Sequence, residues 1–208
     1  VGSSFAGNVN LGNTTLDLKG DNTTALKNAT LVTGTDSTVN VSEIQQTIGN
    51  LTLDGGTLVF GLTNQQGERF GSINTGILNS SSANQTYVQL DLSKVASDKT
   101  AFDPTSNLLN HVGQNIEVLI TSSDKNSSFD VNNLVLQNIQ GGVDVGIGQG
   151  YITEIKSTDG SNTVVADATY NYQLVDSDGN LAVDYSLQKL QLIEGQSLTL
   201  SASGANNR

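Results

Sequence analysis

The sequence of 208 residues contains no cysteine, methionine or tryptophan, one proline, and 9 basic residues against 20 acidic ones. The absence of cysteine excludes disulfides and thiolate metal sites. The formal net charge of −11 argues against binding of nucleic acid or anionic lipid through bulk electrostatics, because both partners are also negative. The chain shows no signal peptide and no apolar run of membrane-spanning length, and it starts at Val1. We therefore expect it to be a processed piece of a longer protein.

The residues that are abundant favour β structure. Hydrophobic residues make up 36% of the chain, which is enough to bury one sizeable core, and 22 glycines accompany many Asn, Ser and Thr residues. Apolar residues at helical spacing are scarce, and short β-favouring runs alternate with turn-forming residues. This composition predicts a nearly all-β protein.

The first part of the chain repeats a small unit without repeating its letters. Each unit is an apolar-polar-apolar triplet, and the triplets occupy 9–11, 16–18, 29–31, 39–41, 51–53 and 58–60. Strands this short cannot form an independent sheet, but they can stack on neighbouring copies in rungs of roughly 20 residues. The pattern predicts a right-handed parallel β-helix, a solenoid closed by a C-terminal antiparallel hairpin cap. The alternative is a β-sandwich, which normally shows longer strands at more regular spacing.

This interpretation divides the chain into two parts. Residues 1–145 are predicted to form β-helix rungs, with excursions from the rungs at about 61–86 and 93–114. Both excursions interrupt the triplet rhythm, and the second contains the only proline, Pro104, and the only histidine, His111. Residues 146–208 are predicted to form the C-terminal cap.

The predicted cap contains two runs in which every second residue is apolar or aromatic, which is typical of strands with one buried face. Asp178-Gly179 lies between the runs and suits a tight hairpin turn, although a four-residue loop would keep the same face buried in another register. Leu190 and Leu192 have the opposite parity to Leu187, which predicts a bulge or a corner at Gln188-Lys189. The predicted folding-cap core consists of Tyr170, Tyr172, Leu174, Leu181, Val183, Tyr185, Leu187, Leu190, Leu192, Leu198 and Leu200.

Two stretches carry a resemblance to known proteins. In 49–60, a strand, the corner Gly55-Gly56 and a Leu58-x-Phe60 strand resemble the rungs of bacterial autotransporter passengers of the pertactin and diffuse-adherence adhesin type. The run from Tyr170 to Leu200 resembles the autochaperone, or junction region, at the C-terminal end of the same passengers. The likeness covers roughly 39–60 and 134–201.

The resemblance implies a function in secretion. The chain would cap the β-helix and nucleate its folding during outer-membrane secretion of a surface adhesin or virulence factor. Its partner would be its own outer-membrane β-barrel translocator, which lies outside this chain, with a host surface or self-association as further partners and no nucleic acid. The location would be the bacterial cell surface or outer membrane, or the secreted fraction, after passage through the periplasm.

No motif in the sequence predicts catalysis, a cofactor or a metal, and we expect that the chain is not an enzyme. His111 has neither a second histidine nor a cysteine to share a zinc ion. The oxygen-rich run 176–180 lacks the length and closing glutamate of a calcium loop, and 146–150 does not have phosphate-loop spacing. Two other functions stay open: a host-receptor or glycan-binding module that acts through the excursions, and a β-helical carbohydrate-active enzyme, which would need a pair of carboxylates in a groove.

Overall fold

The computed structural model describes residues 4–41, 44–61, 70–91, 114–137, 143–144, 150–156, 161 and 163–197. Side chains are described for all of these except 114–115, 143–144, 150–156, 168–170, 185 and 187.

The described chain is all-β, as the sequence predicts. Its fourteen strands are β1 (Asn8–Asn10), β2 (Thr15–Leu18), β3 (Leu26–Val32), β4 (Thr38–Val41), β5 (Gln46–Leu53), β6 (Thr57–Gly61), β7 (Ile73–Ser80), β8 (Thr86–Asp91), β9 (Gln114–Ser122), β10 (Leu134–Leu136), β11 (Val143–Asp144), β12 (Gly150–Lys156), β13 (Val164–Ser177) and β14 (Asn180–Leu192). Single 3₁₀ turns at Gly20–Asn22 and Val131–Asn133 precede β3 and β10.

The first ten strands alternate between two sheets. The odd-numbered strands pair in the order β1-β3-β5-β7-β9 and the even-numbered strands in the order β10-β8-β6-β4-β2. Every pairing among these ten strands is parallel. Leu31 pairs with Leu51 and Val39 with Leu58, so partners early in the chain are about 20 residues apart, as the triplets predict. An antiparallel sandwich in this half of the chain is therefore excluded.

The buried side chains form columns that run across the paired strands. In the five-stranded sheet, one column contains Val39, Leu58 and Val88, and its neighbour contains Val41, Phe60 and Leu90. Leu31, Leu51 and Leu78 of the other sheet belong to the same hydrophobic cluster. Because each triplet places its two apolar residues on one face, the inner faces of both sheets supply a single core.

The last four strands are antiparallel and continue one sheet only. They extend the odd-numbered sheet in the order β9-β14-β13-β12-β11, which gives nine strands. Among the described strands, parallel pairing therefore ends with β9 and β10. β11 at Val143–Asp144, which the sequence assigned to the rungs, pairs antiparallel with β12.

The predicted excursion at 61–86 is wrong over much of its length. Ile73–Ser80 forms β7, which pairs with β5 on one side and β9 on the other, and Ile73 and Leu78 are fully buried. The prediction failed for two reasons. The buried residues of this strand change parity at Gly76, from Ile73 and Thr75 to Leu78, and one of them, Thr75, is polar. The Thr75 hydroxyl is satisfied by the Gly49 carbonyl at 3.3 Å. Residues 62–69, and residues 93–113 of the second predicted excursion, lie outside the described residues.

Candidate functional site

The described residues contain no cluster of metal-binding side chains. No group of three or more His, Cys, Asp or Glu side chains in this part of the chain could hold a metal ion. His111 lies outside the described residues. Within the described ranges, no helix combines the length and the apolar character that a membrane crossing requires. The candidate site is therefore the C-terminal hairpin of β13 and β14, where the sequence places the folding cap.

The tip of this hairpin is a two-residue turn at Asp178-Gly179. Both residues have positive φ angles, 53° and 83°, as a tight turn of this type requires. Ser177 pairs with Asn180, Leu174 with Val183 and Tyr172 with Tyr185. Of the two registers that the sequence allowed, the structure has the two-residue turn, because Asp-Gly accepts positive φ at low cost.

Of the bulge or corner that the sequence predicts at Gln188-Lys189, the structure has the bulge. Leu187 pairs with Tyr170, and Lys189 pairs with the adjacent Thr169, so Gln188 has no partner in the register. The extra residue explains why the leucines after it have the opposite parity. A further turn follows β14, in which the Gln196 N–H donates to the Ile193 carbonyl at 3.0 Å and Gly195 has a φ of 77°.

The hairpin buries part of the predicted cap core. Leu181 and Val183 are fully buried and Tyr172 is almost so. Leu174 and Leu190 are half-buried and pack against the same hydrophobic cluster.

Leu192 does not belong to this core, because 52% of its surface is exposed. It pairs with Ala166 of β13, and within the described residues the pairing of β14 with β9 covers Leu181–Ser186. The side chains of Tyr170, Tyr185 and Leu187, and the whole of Leu198 and Leu200, lie outside the described residues.

The hairpin joins the parallel strands along β9. Leu181 pairs with Ile120, which in turn pairs with Ile73 of β7, so the cap adds a residue to an existing apolar column. At the same junction the Ser122 N–H donates to Asn180 Oδ1 at 2.9 Å, which ties the hairpin tip to the end of β9.

Sequence reasoning missed several residues of this junction. Leu119 and Ile120 are adjacent in β9 and both fully buried, because a register shift between Leu181 and Ala182 leaves Leu119 without a partner. Val165 and Ala166 of β13 are buried as well. Consecutive buried residues break the period-two pattern, so alternation alone could not find them, although the apolar run 118–120 marks a buried strand.

The chain is similar to two curated proteins of Escherichia coli (strain K12). The chain is 29% identical over 220 aligned residues to a protein of Escherichia coli (strain K12) named "Uncharacterized lipoprotein YdeK", with 98% of this chain and 16% of the relative covered. It is 28% identical over 209 residues to "Uncharacterized protein YuaQ" of the same strain, with 96% of this chain and 15% of the relative covered. The chain thus spans about one-sixth of the length of these relatives. No protein-family model and no solved structure matches it.

Proposed function

We propose that this chain is a C-terminal piece of an autotransporter passenger, in which a right-handed parallel β-helix is closed by an antiparallel cap that nucleates folding during secretion. The observation that carries the proposal is the junction of β14 with β9. There an antiparallel hairpin continues a parallel sheet and buries Leu181 and Val183 at its last parallel strand. The proposed partner is an outer-membrane translocator outside this chain.

The arrangement of the first ten strands supports the β-helix in this proposal. A chain that visits two parallel sheets alternately, with each strand beside the strand two positions earlier, advances by one strand spacing per circuit. The five-stranded and nine-stranded sheets then form two walls of the proposed coil, and the columns through Val39 and Leu51 form its interior.

In such a coil the cap would cover the exposed end of the last rung. The last parallel strand would otherwise present unpaired N–H and C=O groups and an apolar cross-section, both of which promote aggregation. The hairpin covers these groups on β9 and contacts β10 through β13. Since β13 and β14 are joined by a two-residue turn, they can form from local contacts and then serve as a template for β9.

The proposed location is the bacterial cell envelope or cell surface. One relative is named a lipoprotein, and that name suggests association with the envelope. The cysteine-free composition is compatible with passage through an oxidising periplasm without disulfides that would lock the chain. Secretion as an autotransporter goes beyond the name of the relative and is part of the proposal.

The test is surface display of the intact protein that contains this chain. Leu181→Ala should lower the urea midpoint of the purified chain and reduce labelling of the intact protein at the cell surface, because it removes buried contacts at the junction with β9. Gln173→Ala, at an exposed position of β13, is the matched control and should change neither.

Two outcomes would argue against the proposal. If Leu181→Ala melts early but is displayed normally, the hairpin is only a structural end and does not nucleate folding during secretion. If the intact protein is found only in the cytoplasm, the secretion route itself is wrong.

A further inference from the structure

The tip of the β13–β14 hairpin brings together a reactive dipeptide and a carboxylate that restrains it. Asp178 is exposed, and open space surrounds the position that a side chain would occupy at Gly179, so the Asp178-Gly179 bond has no steric cover. The Gly179 N–H donates to Asp176 Oδ1 at 2.7 Å. This distance is typical of a hydrogen bond to a charged acceptor.

We propose that Asp178-Gly179 is a site of spontaneous isoaspartate formation and that the Asp176 carboxylate slows the reaction by holding the Gly179 amide. In the first step the Gly179 nitrogen attacks the side-chain carboxyl carbon Cγ of Asp178. A C–N bond forms, and the carboxyl hydroxyl leaves with the amide hydrogen as water, which closes a five-membered succinimide ring. Water then opens the ring at either carbonyl and restores aspartate or produces isoaspartate. No oxidant, metal or enzyme is required.

Glycine favours the attack, because the residue that carries the attacking amide nitrogen has no side chain to hinder it. The attacking nitrogen must lose its proton and turn toward the carboxyl carbon of its own predecessor. In the structure that proton instead points at Asp176, two residues before Asp178, so the nitrogen cannot attack without breaking the hydrogen bond. Asp176 is therefore a positioning residue for this bond.

The modification would act on the fold through the hairpin register. In isoaspartate the main chain runs through the side-chain Cβ, which adds one backbone atom to a turn of only two residues. The turn geometry fixes which residues of the two strands face each other, including Leu174 opposite Val183. An altered turn would thus disturb the burial of Leu181 and Val183. This inference follows from the hairpin geometry and does not depend on the proposed role in secretion.

The experiment ages the purified chain at neutral pH and physiological temperature. Isoaspartate is quantified with protein isoaspartyl methyltransferase and located by peptide fragmentation in a mass spectrometer. We expect the folded chain to accumulate isoaspartate at Asp178 more slowly than the same chain in urea. Asp176→Ala should speed this accumulation about fivefold, the factor expected when one hydrogen bond of ordinary net strength is lost.

Two further variants separate the hydrogen bond from other effects. Asp176→Asn keeps a side-chain oxygen that can accept from the Gly179 N–H, so it should age more slowly than Asp176→Ala. Asp124→Ala removes a carboxylate that likewise accepts a backbone N–H, from Asn126 at 2.7 Å, but in a loop without the Asp-Gly dipeptide. It should leave the rate at Asp178 unchanged.

Several results would overturn the proposal. One is a rate at Asp178 that is the same in Asp176→Ala and in the unsubstituted chain. Another is isoaspartate that accumulates mainly at other positions of the folded chain. If Asp176→Ala loosens the hairpin, as shown by faster hydrogen exchange in β13, the Asn variant decides the question. Ageing of Asp176→Asn as fast as the urea-treated chain would show that the acceptor oxygen gives no protection.

Discussion

At the scale of single residues, the corner between β5 and β6 shows how a sharp turn is satisfied inside the sheet stack. Gly55 and Gly56 have φ angles of 98° and 75°, which only glycine adopts without strain. The hydroxyl of Thr86, which is fully buried, accepts from the Gly55 N–H at 3.0 Å and donates to the Gly55 carbonyl at 3.2 Å. A buried polar residue thus pairs the backbone groups that the turn leaves open.

Gly56→Ala should destabilise the chain strongly. A Cβ at this position would lie 2.6 Å from the Gly34 carbonyl oxygen and 2.7 Å from that of Ser37, so backbone would have to move, and the positive φ adds strain. Gly12→Ala is the control, because no atom lies within 4 Å of the added Cβ. In urea denaturation, Gly56→Ala should lower the midpoint and Gly12→Ala should leave it unchanged. Equal midpoints for both variants would contradict the described corner.

The two leucines of the cap that differ in burial provide a second residue-scale prediction. Leu181→Ala removes a fully buried side chain and should cost about 2–5 kcal/mol of unfolding free energy. Leu192→Ala changes a side chain that is half exposed, and should cost clearly less. Chemical denaturation of both variants measures the difference. A larger loss at Leu192 would mean that this residue belongs to the core after all, as the sequence predicted.

At the scale of elements, the strands differ in how many neighbours they have. β5 pairs with β3 on one side and β7 on the other, whereas among the described strands β1 pairs with β3 only. An edge strand leaves half of its backbone groups without a partner in the sheet, and it opens at lower free energy than a central strand.

Hydrogen exchange should report this difference. Paired amides of β5 should exchange at least about ten times more slowly than those of β1, because central strands open only with larger parts of the fold. Exchange followed by mass spectrometry of peptides from 8–10 and 46–53 measures it. The control repeats the measurement at several protein concentrations, because pairing of the edge strand with a second copy of the chain would protect β1 in a concentration-dependent way. Protection of β1 as strong as that of β5 at every concentration would contradict its position at the edge of the sheet.

At the scale of the whole molecule, charge opposes folding. The formal net charge of −11 comes from 20 acidic residues and only 9 basic ones. Compact folding brings like charges closer together, and dissolved salt screens this repulsion over about 10 Å at an ionic strength of about 0.1 M.

The melting temperature should therefore rise when sodium chloride is added to a solution of low ionic strength. Thermal unfolding followed by circular dichroism at several salt concentrations measures the effect. A variant with Asp21 and Asp36, both exposed, changed to Asn carries less negative charge and should depend less on salt. A melting temperature that falls with added salt would show that specific ion pairs, and not net repulsion, dominate.

Local pattern alone determined several features of this protein. The apolar-polar-apolar triplets predicted the inward-facing residues of the first strands, since alternation along a strand sets which side chains share a face. Asp178-Gly179 indicated a hairpin turn, and the change of parity at Gln188-Lys189 indicated a bulge or a corner; the structure has a two-residue turn and a bulge. Each of these features depends on residues that are close together in the chain.

Tertiary structure decided the rest, because parallel strands find their partners far along the chain. β7 became a central strand through pairing with β5 and β9, and the Gly49 carbonyl satisfies its buried Thr75. Leu192 is half exposed although its alternation matches that of Leu190, and within the described residues the pairing of β14 with β9 covers Leu181–Ser186. Burial depends on which surface lies opposite a side chain, and in these strands that surface belongs to residues that are distant in the sequence.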